Sequence, residues 1–437
     1  MSGGLITALL FASLIVCLVT GIPIAFVLGG VALIFAYFLE GSDFLFIIAT
    51  TTYGRMTNMI LIALPMFIFM GNMLQISGIA DDLYEMMHRW LGFLRGGLAS
   101  GTVVICTIFA AMSGVSAAAT VTMGLLALPA MLKRGYNKSI ALGSIMAGGA
   151  LGTLIPPSIV LIVIAMMLQV SVGKIFIAGI LPGLLLSSFF IIYISIRCAL
   201  QPHLGPGIPP EERPSLKLKF VSLRAIILPA VLIVTVLGSI FMGVATPTEA
   251  SALGALGSIV VAAIHRRLTW SALLETCYRS LRVTCMCMWI LIGGVTFSSI
   301  YHAVGGAEFV DQVLTTLPIG KWGILISMQL ILFILGCLID IIGICMITLP
   351  IFSPIIVSLG FDPLWFGIVF MVNMEMAYLT PPFGHNLFYL KGVAPKEVTM
   401  GDIYRSVSPF VALQAIGLAI VILFPQLSLW LPSLMRR

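Results

Sequence analysis

The sequence predicts an all-α polytopic membrane protein built from two inverted-topology repeats, each with five crossings and one re-entrant hairpin. Three observations carry this expectation: apolar runs recur along nearly the whole chain, Lys and Arg crowd onto one side of the resulting topology, and proline–glycine punctuation repeats between the two halves. The 437 residues are 60% hydrophobic and 9% charged. A soluble domain carries about 25% charged residues, so this chain could not cover a soluble surface. Segments 4–20, 226–243 and 408–424 contain no Asp, Glu, Lys or Arg. Each is long enough to cross ~30 Å of hydrocarbon. The bilayer is then the solvent, and helices must satisfy the backbone.

Crossings are expected at about 4–20, 22–39, 57–77, 138–168, 174–198, 225–243, 246–264, 283–303, 363–389 and 407–431. The first run has no charged region before it and no A-x-A site after it, so it is expected to stay as a helix. Segments at about 97–133 and 317–358 are too long for one helix and are interrupted near the middle; they are expected to be re-entrant hairpins. Stretches 79–92, 268–282 and 396–406 mix charges with apolar residues and are expected to lie along the interface. With the N-terminus outside, the cytoplasmic segments hold 17 of the 22 Lys and Arg, all but Arg55, Lys174, Lys321, Arg436 and Arg437. That is a strong positive-inside bias, which the terminal Arg436-Arg437 pair weakly opposes. Most of the eight cysteines sit in apolar segments as small packing residues; Cys285 and Cys287 fall on different helix faces.

The chain resembles itself. Pro23 and Gly30 answer to Pro247 and Gly254, Leu128-Pro129 to Leu349-Pro350, Gly135-Tyr136 to Gly360-Phe361, and Pro156-Pro157 to Pro381-Pro382. The repeats are expected at 1–224 and 225–437. Five crossings per half is an odd number, so the second half is inverted. In secondary transporters of this architecture the solute sits near the midplane between the halves.

The candidate chemistry gathers at four interruptions. The first hairpin turns near Ser113-Gly114-Val115-Ser116, small and hydroxyl residues that let backbone carbonyls face a cavity. The run 148–158 ends in Pro156-Pro157-Ser158; two prolines leave the carbonyls of Gly152 and Thr153 without helical partners. Such oxygens suit Na⁺, the coupling ion that discontinuous helices bind. The matching run 379–386 adds the Thr380 hydroxyl and Asn386, which both donates and accepts. His385 is set aside as a local hydrogen-bonding residue. The second hairpin turns near Asp340, which could bind Na⁺ or cap a half-helix. Glu375, within a crossing, is a second intramembrane carboxylate, with an interhelical hydrogen bond as its alternative role.

Stretches 63–71 (Ala-Leu-Pro-Met-Phe-Ile-Phe-Met-Gly), 113–116, 152–158, 179–183 (Gly-Ile-Leu-Pro-Gly), 246–250 (Thr-Pro-Thr-Glu-Ala) and 380–388 together resemble the large membrane subunit of the TRAP (tripartite ATP-independent periplasmic) transporters. The resemblance spans most of the chain. It implies an elevator-type transporter, with a hairpin-bearing transport domain moving against a scaffold in the bacterial inner membrane. It implies Na⁺ as coupling ion, with one site at Ser113, Ser116, Gly152, Ile155 and Pro157. A second site would be at Thr380, Pro382 and Phe383, with Asp340 as an acidic position of the second hairpin. Ser113, Ser116, Ser158 and Asn386 are the candidates for substrate contact. The family's tips often read Ser-Gly-Ser-Ser, whereas Val115 stands third here. The implied partners are a small four-helix membrane subunit, a periplasmic substrate-binding protein and a small organic acid.

No P-loop run, hydrolytic constellation or redox constellation appears, and neither an organic cofactor nor a nucleic-acid partner is expected. The leading reading is a Na⁺-coupled carboxylate importer, not an enzyme. The alternative is a stand-alone carboxylate carrier needing no binding protein. A membrane-embedded transferase would need catalytic residues clustered at one interface, and the sequence offers none.

Overall fold

The computed structural model describes residues 3–310, 320–382 and 384–435. These residues form helices and connecting turns, and the chain is a multi-pass membrane protein. Eight described helices are long and apolar enough to cross a bilayer, and five shorter apolar helices accompany them. Two of the eight, Ser116–Lys133 and Ile341–Ser358, are arms of helical hairpins completed by Gly97–Ser113 and Gly320–Gly336. The expected crossings at 138–168 and 363–389 are each broken in two. Lys138–Ala150 is followed by Ile159–Leu168, and Pro363–Tyr378 by His385–Val393.

The two hairpins leave into the broken helices through the same turn. Gly135 and Gly360 both have φ +76°. Tyr136 N–H bonds the Met131 carbonyl and Phe361 N–H that of Ile356, both at 3.0 Å. A side-chain cap then starts the next helix: Asn137 accepts from Ser139 N–H, and Asp362 from the N–H groups of Leu364 and Trp365.

Three elements differ from expectation. Ser42–Met56 is a helix where none was expected, because its Thr50-Thr51-Thr52 run disfavours helix. The Thr50 hydroxyl answers this locally by donating to the carbonyls of Phe46 and Ile47. Segments 268–282 and 283–303 are one continuous helix, Trp270–Ala303, not an interfacial helix plus a crossing. No glycine or proline interrupts it before Gly293, and a Glu275–Arg279 pair bridges one turn. Likewise 396–406 is not separate: Met400–Leu423 runs from a Thr399/Asp402 capping box into the membrane. It stops short of 431 because Pro425 starts a new segment, Gln426–Ser433. Residues 79–92 form the helix Ile79–Leu91, with Ile79, Leu83 and Met86 buried and Asp81 and Asp82 in its first turn.

Two groups of helices can be told apart by their packing, and they meet where Trp270–Ala303 packs on Ile341–Ser358 and Ala63–Ile76 on Gly97–Ser113. Ala63–Ile76 packs on Pro247–Ile264 and Trp270–Ala303, and Ile24–Glu40 packs on Trp270–Ala303. The other group crosses the halves: His385–Val393 lies on Ser116–Lys133, and Ile341–Ser358 lies on Ile159–Leu168. In this second group every residue from Ile140 to Ala150 is buried. In the first group, Gly293 lets two helices meet backbone to backbone, since a Cβ there would stand 2.6 Å from the Ala25 carbonyl oxygen. Gly293→Val is expected to separate these helices and cost about 1–3 kcal/mol. Thermal unfolding in detergent, followed by loss of the monodisperse gel-filtration peak, measures it; an unchanged midpoint would show the contact to be dispensable.

Candidate functional site

The first hairpin reverses over two residues. Gly114, at φ +64°, closes Gly97–Ser113 with its N–H on the Ala110 carbonyl, and extended Val115 leads into Ser116–Lys133. This tip is pressed against the first broken helix. A Cβ on Gly114 would lie 2.1 Å from the Pro157 carbonyl oxygen, and one on Gly152 would lie 3.1 Å from the Ser116 Cα. A Cβ on Gly149 would lie 1.9 Å from the Thr120 Oγ1. The glycines therefore bring backbone to backbone, and the carbonyls of the break and the hydroxyls of the tip share one buried space.

Within it, Ser113 and Ser116 are almost fully buried. The Ser113 and Thr120 hydroxyls have no hydrogen-bond partner among the described residues. An unpaired buried hydroxyl costs about 1–3 kcal/mol, so these groups suit a partner that comes and goes. Ser158 is already engaged: its hydroxyl donates to the Thr153 carbonyl at 2.5 Å and accepts from Leu161 N–H at 3.4 Å. The peptide between Pro156 and Pro157 is cis, as is that between Pro381 and Pro382. Ile155 and Leu154 are seated by glycines of a neighbouring helix. A Cβ at Gly183 would touch Ile155 Cγ1 at 2.5 Å, and one at Gly179 would touch the Leu154 carbonyl oxygen at 2.6 Å.

The second interruption is built differently. The Thr380 hydroxyl donates to the Met376 carbonyl at 2.8 Å, and the Pro382 carbonyl accepts from the Tyr404 hydroxyl at 3.3 Å. Phe383 lies outside the described residues. Asp340, which the sequence left between two roles, caps Ile341–Ser358: Oδ2 accepts from Ile342 N–H at 3.0 Å. Its Oδ1 accepts from the Tyr378 hydroxyl at 3.2 Å, and that hydroxyl accepts in turn from Ile341 N–H at 3.3 Å. Tyr378 thus ties the second tip to the second broken helix, a role the sequence did not reveal.

Two contacts join the interruptions. Asn386, fully buried, donates from Nδ2 to the Met146 carbonyl at 3.2 Å, and its Oδ1 is unpartnered among the described residues. Glu375, also fully buried, accepts from the Thr153 hydroxyl at 3.5 Å through Oε1. Ser113, Ser116, Gly152, Ile155, Pro157 and Ser158 are therefore brought together at one place. Asp340, Thr380 and Pro382 belong to the second hairpin and second break, and Asn386 reaches back toward the first group. Gly71, whose added Cβ would meet the Ser113 carbonyl oxygen at 2.6 Å, is a further contact unforeseen in the sequence. It sits in the outer helix group, so that group touches the first tip directly.

Residues 11–427 match the family described as the tripartite ATP-independent periplasmic transporter, DctM component. The chain belongs to this family. Among relatives of this TRAP permease is the C4-dicarboxylate TRAP transporter large permease protein DctM of Pseudomonas aeruginosa. It is 34% identical over 85% of this chain and 86% of its own length. The ectoine TRAP transporter large permease protein TeaC of Halomonas elongata is 31% identical, over 86% of this chain and 87% of its own. Among solved structures, the YdaH transporter of Alcanivorax borkumensis shares the fold with a TM-score of 0.63 at 15% identity, covering 91% of each chain.

Gly114→Ala in this permease would place a side chain at φ +64° and against the Pro157 carbonyl. The left-handed conformation alone costs about 1–2 kcal/mol. Gly30→Ala, where nothing lies within 4 Å of the new Cβ, serves as the control. The expected result is a lowered unfolding midpoint for Gly114→Ala and little change for Gly30→Ala.

Proposed function

We propose that this permease is the transport subunit of a Na⁺-coupled importer of a small organic acid, acting in the bacterial inner membrane. A periplasmic binding protein delivers the acid, and a small four-helix subunit completes the membrane unit. The observation that carries this reading is the first tip against the first break: buried Ser113 and Ser116, an unpartnered hydroxyl, and the Gly152 carbonyl, which Pro156 cannot pair, whereas Ser158 takes up the Thr153 carbonyl. A hard cation with oxygen ligands matches that set. Ser113, Ser116, Gly152, Ile155 and Pro157 form one Na⁺ site, and Thr380, Pro382, Phe383 and Asp340 the other. Ser113, Ser116, Ser158 and Asn386 lie where a bound acid would gain charge neutralisation from the adjacent sodium.

The division into inverted repeats at 1–224 and 225–437 rests on the matching punctuation, the matching turns after the hairpins and the two broken helices. The crossed packing of each hairpin on the other half's broken helix suits a single transport domain. The remaining helices, joined to one another through Gly293 and meeting the first tip at Gly71, suit a scaffold along which that domain slides as an elevator. The P. aeruginosa and H. elongata relatives are named as TRAP large permeases, which favours dependence on a binding protein over a stand-alone carrier. Their different named solutes leave the choice of acid to experiment.

The test is uptake of labelled acids into proteoliposomes holding the permease and its small subunit, with and without an inward Na⁺ gradient and the binding protein. Uptake requiring both is the expected result. Na⁺-driven uptake without the soluble protein would favour the stand-alone carrier, and sodium-independent uptake would overturn the sodium sites. Ser113→Ala is expected to raise the half-saturating Na⁺ concentration about tenfold, the loss of one hydrogen-bonding ligand to a charged group.

A further inference from the structure

A recess of about 600 Å³, apart from the tips, opens where four helices end on one side of the molecule. Arg55 enters it from the last turn of Ser42–Met56, Gln169 from just after Ile159–Leu168, Ser298 and His302 from Trp270–Ala303, and Ser353 and Ser358 from Ile341–Ser358. By the distribution of Lys and Arg this is the side opposite the basic loops, the external face. We infer that this recess is an entry site for the carboxylate group of the incoming solute, with Arg55 as its principal anion contact. The inference rests on the organic-acid reading above and adds a second, shallower binding step to it.

Charge supports an anion here. The external ends of the chain carry Glu40, Asp43, Glu249, Glu308 and Asp362, yet no Asp or Glu is among the described residues lining the recess. Arg55 makes no ion pair with a described residue. A position in the last turn of a helix would account for a basic residue there. It would not account for one that shares a recess with three serines, an amide and an imidazole set among apolar side chains. Guanidinium groups bind carboxylates through two parallel hydrogen bonds, with a geometry that lysine lacks.

Backbone geometry supports a kept side chain at the rim. Gln169 ends its helix at φ +54°, the left-handed cap position where glycine is usual. A glutamine there is strained, and strain of this kind gathers at ligand-binding positions. The volume fits a small ligand, since such sites span about 300–1,000 Å³. The lining also bridges the two packing groups: Ser353, Ser358 and Gln169 come from the hairpin-bearing group, Ser298 and His302 from the other. A bound acid would therefore contact both before reaching the tips.

The test uses Val357→Cys, an exposed apolar lining position given no ligand contact, in the full-length chain, reconstituted with its small subunit and labelled with a membrane-impermeant anionic methanethiosulfonate. The unsubstituted protein gives the background from native cysteines. Succinate, pyruvate and gluconate are offered, with glucose as the uncharged control. At least one acid is expected to slow labelling severalfold while glucose does not. Adding Arg55→Gln should abolish this slowing, and Arg55→Lys should retain part of it. Labelling unaffected by all three acids, or slowing that persists in Arg55→Gln, would overturn the site. This readout needs no sodium and no transport, so it fails independently of the sodium-coupled reading. In uptake assays, Arg55→Gln should raise the half-saturating acid concentration about tenfold with the sodium dependence unchanged. An unchanged half-saturating concentration would also overturn it.

Discussion

The arrangement depends on one constraint: backbone that leaves its helix at membrane depth must find its partners inside the protein. Among the described residues, the two hairpins and the two broken helices are interrupted at Gly114, at Pro156-Pro157, near Asp340 and at Pro381-Pro382. Each departure exposes carbonyls or N–H groups that lipid cannot receive. The first tip and the first break answer one another, with Gly114 on the Pro157 carbonyl and Gly152 on the backbone of Ser116. The second tip answers through side chains, Asp340 capping its own helix and Tyr378 binding both. What is left over at the first pair is an unpartnered serine hydroxyl beside the Gly152 carbonyl that Pro156 cannot pair, while Ser158 satisfies the Thr153 carbonyl.

The same constraint couples the two halves. Asn386 reaches the Met146 carbonyl and Glu375 reaches the Thr153 hydroxyl, so each broken helix is completed by residues of the other half. The hairpins follow this exchange in their packing. The outer helices also pack on this unit, Trp270–Ala303 on Ile341–Ser358 and Ala63–Ile76 on Gly97–Ser113, with Gly71 pressed against the first tip.

Much of this was legible in the sequence, for identifiable reasons. The hairpin turn at 113–116 and both breaks were marked by glycine and proline, whose effects on the backbone are local. The caps at Asn137 and Asp362 and the shared turns before them follow from the same local rules. Ser42–Met56 was not legible, because its threonines disfavour helix and only the Thr50 hydroxyl is shown bonding back along it. The continuity of Trp270–Ala303 was hidden by charges in its first half, which made one helix resemble two. At the site, the pairing of Tyr378 with Asp340, of Glu375 with Thr153 and of Gly71 with Ser113 joins residues far apart in the chain, and no spacing pattern announces such contacts.

The central claim is that the tips and breaks form cation sites completed by sodium. Hydrogen–deuterium exchange of the purified permease in sodium chloride, against potassium chloride of equal ionic strength, tests it without any knowledge of the solute. Sodium should selectively slow amide exchange across 113–120, 150–158 and 376–387, while the frame helix 247–264 exchanges alike in both salts. Identical exchange across those three segments in the two salts would contradict the account.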